Sequence, residues 1–224
     1  NKNTTNPSGG VIVKNPTTGE PTGILKDNAI NQVSKIIPNV SKKKRKQILE
    51  NALEYASSVG ITQIHDMCSW EDLETYRKNK NTLTLRVYAL PWYSNWKKLI
   101  ALVKEEGYGD DLLRWNGMKA MIDGSLGSRT AWMYEPYLDD RKTSGLLRMT
   151  DTLGFKNIMK SLDDEGIQLA VHAIGDRAND WIIGEYINLI KINGNKDRRS
   201  RIEHAQHLTM EAINKIGNYN IISI

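Results

Sequence analysis

Residues 153–204 read LGFKNIMKSLDDEGIQLAVHAIGDRANDWIIGEYINLIKINGNKDRRSRIEH, and the predicted fold class rests on their pattern. Apolar residues at helical spacing over about 153–164 precede the short apolar run 166–172, and a second helical segment over about 176–192 precedes the run 201–204. Strands that are each separated by a helix are expected to lie parallel, with the helices outside the sheet. This stretch therefore predicts an α/β fold.

The same alternation extends to both sides of this stretch. Further helices are expected over about 41–59, 70–79, 94–106 and 209–217, and further strands over about 60–66, 83–90, 117–123 and 219–224. With the two strands of the stretch above, the predicted strands number six. Six strands are too many for a small open sheet and two short of a (β/α)8 barrel. We therefore predict an incomplete (β/α)8 TIM-type barrel that lacks its first and eighth strands. A doubly wound sheet is the weaker alternative, because no Gly-rich dinucleotide fingerprint follows any strand.

The two ends of the chain differ from its middle. Residues 1–40 begin with a segment rich in Asn, Thr, Gly and Pro, which predicts a loop or hairpin insertion that leads into the barrel. Residues 41–224 are then expected to form the partial barrel, with its strands two to seven. The chain begins with Asn1 and ends in the β-branched run 220–224. We interpret it as an internal piece of a longer protein, whose chemistry would be incomplete.

Charge and hydropathy narrow the classes of partner. The net charge is +5, from 31 Lys and Arg against 26 Asp and Glu, but the run SKKKRK at 41–46 holds five of the positive charges. Such a run favours a solvated helix face over a nucleic-acid interface. No stretch approaches the roughly 20 apolar residues of a membrane span. With a single cysteine and no apolar leader segment, these features predict a cytoplasmic protein with no nucleic-acid or membrane partner.

Polar side chains gather where the predicted strands end. His65, Asp66, Asp123, His172 and His204 all occupy such positions, and in a parallel barrel the carboxyl ends of the strands form the active-site face. Strand alternation places His172 opposite the bulky residues of its strand, so that it faces the interior. By the same argument His204 points into the same cavity. Converging neutral imidazoles predict a zinc-type metal site.

Lys119 lies within a predicted strand rather than at its end. A buried lysine is costly unless it is paired or chemically changed. Three explanations stay open: a Schiff base, an ion pair with Asp123, or carboxylation to a carbamate that would bind metal. The loop DGSLGSRTA at 123–131 follows, and its Arg129 could meet an anionic part of a substrate or form an ion pair within the loop.

Four motifs in order resemble amidohydrolase family 3, in particular the branch that includes N-substituted formamide deformylase. They are GITQIHD at 60–66, Lys119 with DGSLGSRTA at 123–131, HAIGDRA at 172–178 and RIEHAQ at 201–206. The resemblance implies a metal-dependent hydrolase of amide- or formamide-type C–N bonds other than peptide bonds. It also implies a metal-bound hydroxide that attacks a carbonyl group, with a small amide-type molecule as the substrate and the possibility of an oligomer left open.

The resemblance also implies roles for individual residues. His172 and His204 match metal ligands, and Lys119 matches a ligand position if it is carboxylated, so that these three are the expected catalytic residues. Asp123, Arg129 and Asp176 are expected to bind substrate. The cofactor would be one or two divalent ions, zinc first, with iron or manganese as alternatives.

The chain also departs from the family pattern. The superfamily's first-strand His-x-His pair is absent, since the histidines are His65, His172, His204 and His207, and the family's eighth-strand aspartate has no counterpart in the chain. The chain alone is therefore expected to hold at most half of the metal ligands and to be inactive by itself. The alternative is a non-catalytic barrel, a pseudoenzyme that binds a small ligand.

Overall fold

The computed structural model describes residues 1–224, which form an α/β structure in which helices and short strands alternate. The strands are β1 (Gly10–Lys14), β2 (Pro21–Asp27), β3 (Gln63–Asp66), β4 (Arg86–Ala89), β5 (Leu113–Arg114), β6 (Gly117–Met121), β7 (Gln168–Ala173), β8 (Arg201–His204) and β9 (Ile222–Ser223). The helices are α1 (Asn31–Ser34), α2 (Lys42–Ser58), α3 (Trp70–Lys78), α4 (Trp96–Glu106), α5 (Thr152–Asp164), α6 (Asp176–Asn193) and α7 (Met210–Asn218). None of these helices is both long enough and apolar enough to cross a membrane.

Helices α2 to α7 agree closely with the sequence pattern, whereas α1 was not predicted, and the strands are mostly shorter than expected. Helix α2 begins directly after Ser41, whose side chain accepts a hydrogen bond from the backbone N–H of Lys44, as expected of an N-cap. Most of the basic residues at the start of α2 are exposed. Strand β5 was not predicted, because a strand of only two residues shows no period.

The chain divides into two compact units, each built from separate stretches of sequence. The first unit comprises residues Asn1–Pro38, Met121–Asn157 and Val171–Ile224, and the second comprises Asn39–Ala120 and Ile158–Ala170. Each unit has a core of fully buried apolar side chains. In the first unit these include Phe155, Ile182, Ile183, Tyr186 and Ile202, and in the second they include Leu73, Leu99, Leu113, Met118 and Leu162.

In the second unit, β3, β4 and β5 form a parallel sheet with β4 in the middle. His65 of β3 is paired with Tyr88 of β4. Just beyond β4, the backbone N–H of Lys119 in β6 donates to the carbonyl of Pro91 at 2.9 Å, and Trp92 and Lys119 form a parallel bridge. This bridge fixes the backbone of Lys119.

The first unit contains the antiparallel hairpin of β1 and β2. A further sheet has the order β6–β7–β8–β9, and β8 and β9 are parallel. The N–H of Gln168 donates to the carbonyl of Asn116, and the N–H of Ile122 donates to the carbonyl of His172. Residue numbers therefore increase in the same direction along β6 and β7, as in a parallel pair. Helix α6 connects β7 to β8, and α7 connects β8 to β9. The carboxyl ends of β7 and β8, which carry His172 and His204, therefore meet at one edge of this sheet, whereas His65 lies on β3 of the other parallel sheet.

Cys68 is buried in the second unit with 3% of its surface exposed, and it forms no disulfide. Burial raises the pKa of its thiol to about 12, and the charges of Asp66 and Asp72 act in the same direction. At pH 8 the thiolate is therefore a fraction on the order of 10⁻⁴. We expect iodoacetamide to leave the folded chain almost unmodified at pH 8 and to alkylate it rapidly in denaturing urea, as measured by intact mass. Equal rates in the two conditions would contradict this burial.

Candidate functional site

Two histidines lie together at the carboxyl ends of neighbouring strands. His172 is the penultimate residue of β7 and His204 is the last residue of β8. Their ring centroids are 4.7 Å apart, and the ring planes meet at 77°. His172 is 5% exposed, whereas His204 is exposed. The structure therefore brings together the two imidazoles that strand alternation predicted to converge, with one of them open to solvent.

The ring of His172 is oriented by a backbone carbonyl. Its Nε2 lies 2.8 Å from the carbonyl oxygen of Gly124, which can only accept a hydrogen bond. Nε2 is therefore the donor in this bond, and a neutral ring with this bond has its lone pair on Nδ1. The nitrogen that is free of the proton is the one able to bind a metal ion.

The backbone at the end of β8 is strained. His204 has φ of 79° and Ala205 has φ of 40°, although neither residue is glycine. Such conformations cost on the order of 1–3 kcal/mol each and cluster at functional sites. The N–H of His204 donates to the carbonyl of Ile224 at 2.6 Å, which helps to hold this geometry.

Asp123 lies shortly after β6, at the start of the long segment that leads to α5, and it is completely buried. Its carboxylate accepts hydrogen bonds from the backbone N–H groups of Trp132, Ile174 and Gly175, at 2.8, 3.1 and 2.8 Å. Its Oδ1 also lies 3.3 Å from Nε2 of His172. The residue predicted to bind substrate thus has both of its oxygens engaged by the chain itself.

Lys119 is 2% exposed, in the part of β6 that belongs to the second unit. His172, His204 and Asp123 belong to the first unit. The prediction that this lysine would lie inside a strand is confirmed.

Arg129 is used within its own loop. Its guanidinium donates to both oxygens of Asp139, at 3.2 and 2.7 Å. This hydrogen bond lowers the pKa of Asp139. The structure thus realises the loop ion pair, which was one of the two alternatives for Arg129. The contact of Arg129 with substrate stays a prediction.

Asp176 begins α6 and binds the loop that follows β6. Its Oδ1 accepts from the backbone N–H groups of Tyr134 and Arg177, at 2.9 and 2.7 Å. The guanidinium of Arg177 lies 4.4 Å from the centroid of the Trp132 ring, in the range of a cation–π contact. These contacts attach the segment around Trp132 to the start of α6.

One buried residue of this region was not identified from the sequence. Asn179 is fully buried in α6, and its Nδ2 lies within hydrogen-bond distance of the carbonyls of Ile174, Gly175 and His207. It therefore joins the segment after β7 to the segment after β8. A lone asparagine in a helical stretch carries no sequence signal for such a role, because the partner that makes it a link between the two segments, the carbonyl of His207, lies far away in sequence.

Comparison with known proteins decides the family. A sequence profile described as "Amidohydrolase family" matches residues 1–222. The chain belongs to the amidohydrolase family. Among its relatives, LONG AFTER FAR-RED 3 of Arabidopsis thaliana is 36% identical over 98% of this chain and 40% of that protein. The Bacillus subtilis (strain 168) protein YtcJ, whose name classes it among the amidohydrolases, is 32% identical over 98% of this chain and 42% of its own length.

Two solved structures that resemble this amidohydrolase chain are described as metal-dependent hydrolases. An uncharacterized metal-dependent hydrolase from Pyrococcus furiosus is 28% identical, with a TM-score of 0.75 over 91% of this chain and 42% of its own length. One from Pyrococcus horikoshii OT3 is 25% identical, with a TM-score of 0.74 over 95% of this chain and 43% of its own. The chain thus spans less than half the length of the relatives it matches.

The family and these neighbours imply a divalent metal ion, and the histidine pair of the amidohydrolase chain fits two of its ligands. Imidazole nitrogens suit zinc and similar ions, and a ligating histidine typically donates its other N–H to a carbonyl or carboxylate. His172 has this arrangement through Gly124. Zinc usually takes at least three protein ligands. No group of three or more His, Cys, Asp or Glu side chains placed to hold an ion is found in the structure.

Proposed function

We propose that the protein is a metal-dependent hydrolase of C–N bonds other than peptide bonds, of the amide or formamide type, and that His172 and His204 are ligands of its metal ion. The observation that carries the proposal is the pair of imidazoles, 4.7 Å apart at the ends of β7 and β8, in a chain of the amidohydrolase family. The resemblance to the formamide deformylase branch supports the substrate class. Zinc is the proposed metal because it favours imidazole ligands.

The architecture proposed for the whole protein is a (β/α)8 barrel. Strands separated by helices and the metal-dependent neighbours support this proposal. Within it, residues 1–40 form the insertion, and residues 41–224 supply strands two to seven. Because the chain covers 40% and 42% of two curated relatives, we propose that the remaining metal ligands lie elsewhere in a longer protein, which carries the activity.

The residues of this chain would contribute to the reaction in distinct ways. A divalent ion supplies Lewis acidity, which polarises a carbonyl group and activates water. His172 offers Nδ1 while its Nε2–H is held by Gly124. His204 offers an exposed imidazole beside it. The role of Lys119 as a carboxylated ligand, and those of Asp123, Arg129 and Asp176 toward substrate, remain predictions.

Metal binding tests the proposal without knowledge of the substrate. The purified chain is titrated with Zn²⁺ by calorimetry and with Co²⁺ by absorption. We expect the unmodified chain to bind these ions. His172→Asn and His204→Asn should each lower the affinity by at least about tenfold, because each substitution removes a ligand. His207→Asn is the matched control, since His207 is exposed and lies three residues after His204.

The outcomes separate the function from its alternative. Equal weakening by all three variants would show binding that does not depend on the predicted pair. Failure of both the unmodified chain and the longer protein to bind either ion would contradict the assignment of His172 and His204 as ligands and would favour the non-catalytic barrel. A change confined to His172→Asn and His204→Asn would support the proposed centre.

A further inference from the structure

Asp123 holds three separate segments of the chain together. It follows β6, its Oδ2 accepts from the N–H groups of Trp132 and Gly175, and its Oδ1 accepts from the N–H of Ile174. The carboxylate has no exposed surface, and a buried carboxylate is tolerated only where its oxygens are hydrogen-bonded. Three backbone donors from two loops meet this requirement. Asp123 thus acts as a junction between the end of β6, the loop after it and the end of β7.

The junction is tightly packed at two glycines. A Cβ on Gly175 would lie 2.0 Å from the carbonyl oxygen of Trp132, and a Cβ on Gly124 would lie 2.0 Å from Oγ1 of Thr130. Any side chain at either position would push apart the segments that the carboxylate joins. The close approach therefore keeps the backbone donors within reach of Asp123.

His172 lies inside this junction. Its Nε2–H donates to the carbonyl of Gly124, the residue directly after Asp123, and Asp123 Oδ1 lies 3.3 Å from the same nitrogen. The backbone N–H groups of Ile174 and Gly175, shortly after His172 in the chain, donate to the same carboxylate. The carboxylate thus fixes the backbone that follows the histidine and presents a second acceptor to its N–H.

We propose that Asp123 is a positioning residue: it fixes the segments around His172 so that Nε2 keeps the proton and Nδ1 keeps the lone pair that binds the metal ion. This inference rests on the proposed function for the metal, but the geometry of His172 is a property of the metal-free chain. Outer-sphere partners of this kind typically change metal affinity by about 10–100-fold when removed.

Asparagine at position 123 is the sharpest substitution. Asp123→Asn keeps the size of the side chain but replaces one acceptor oxygen with an NH₂ donor. At the Oδ2 position the amide would face the N–H groups of Trp132 and Gly175, and at the Oδ1 position it would face Nε2–H of His172 and the N–H of Ile174. Neither orientation avoids a donor facing a donor. Asp139→Asn is the control, because Asp139 is exposed and binds Arg129 in the same loop region.

The test is an NMR measurement of the metal-free chain labelled with ¹⁵N-histidine. Long-range ¹H–¹⁵N correlations report which ring nitrogen is protonated. We expect His172 to be protonated at Nε2 in the unmodified chain and in Asp139→Asn. In Asp123→Asn we expect the ring ¹⁵N resonances of His172 to move toward those of the Nδ1-protonated tautomer, or to positions averaged by exchange between the two tautomers. Amide exchange of Trp132, Ile174 and Gly175 should accelerate by at least about tenfold.

Each result decides the inference. Protonation of His172 at Nδ1 in the unmodified chain would overturn it, even if Asp123→Asn failed to fold. A folded Asp123→Asn variant with an unchanged His172 resonance would also overturn it, because a merely structural role would lower stability without moving the tautomer. A Co²⁺ titration of the same samples tests the metal separately, with a loss of about 10–100-fold expected for Asp123→Asn. Absence of Co²⁺ binding in the unmodified chain would count against the proposed function, while the tautomer result stands by itself.

Discussion

Replacing Gly175 with alanine is expected to lower the free energy of unfolding by about 3 kcal/mol or more. The new Cβ would lie 2.0 Å from the carbonyl oxygen of Trp132 and 2.4 Å from its carbonyl carbon. Both are backbone atoms, so relief requires the chain itself to move. That movement would also stretch the hydrogen bond from the Gly175 N–H to the buried carboxylate of Asp123, now 2.8 Å. Urea unfolding, followed by circular dichroism, measures the loss.

Gly184→Ala is the matched control for this substitution. Gly184 lies in the interior of α6, and a Cβ there would meet nothing within 4 Å apart from the adjacent backbone of its own helix. Alanine should stabilise the helix by about 0.5–1 kcal/mol, since glycine is the poorer helix former. Opposite signs for the two glycines would identify the close approach as the cause. A neutral effect of Gly175→Ala would mean that the loops have room to separate.

Phe155→Ala is expected to destabilise the chain by about 3–5 kcal/mol, because it leaves a cavity in the core of the first unit. Phe155 is the only phenylalanine in the sequence and is 1% exposed. Its ring stacks on that of Trp181 of α6, with centroids 6.4 Å apart. The substitution removes this contact and the burial of the whole ring. Urea unfolding is again the measurement.

The control for Phe155 lies on the same helix. Leu153 is 71% exposed, and Leu153→Ala should change the free energy of unfolding by no more than about 0.5 kcal/mol. The comparison separates loss of the core from any general effect of alanine in α5. Similar losses for both variants would contradict the placement of Phe155 in the core.

Helices were predictable because their signals are local. The spacing of apolar residues predicted α6 at 176–192, and the structure has it at Asp176–Asn193. Strand ends were harder to predict. The run 60–66 was expected to be a strand, but only Gln63–Asp66 pairs with β4. A strand begins where a neighbouring strand supplies hydrogen bonds. The sequence of one apolar segment does not specify where that neighbouring strand will lie.

The candidate site divides in the same way. The convergence of His172 and His204 was predicted from alternation along two strands, and their rings do lie together. The three backbone bonds to Asp123 were not predicted. Arg129 could have bound a substrate or an acidic residue, and the structure pairs it with Asp139. Each of these outcomes depends on which groups the folded loops bring within about 3 Å of one another.

The amino-acid order was sufficient to predict an α/β chain, its helices, and the two histidines at strand ends, because periodicity and position along a strand are properties of neighbouring residues. The tertiary structure decided which nitrogen of His172 carries the proton, since that depends on the carbonyl of Gly124, which lies far from His172 in sequence. It also decided that Asp123 binds backbone groups of two loops. Such contacts form only when separate segments pack together, and the pattern within a single segment does not specify them.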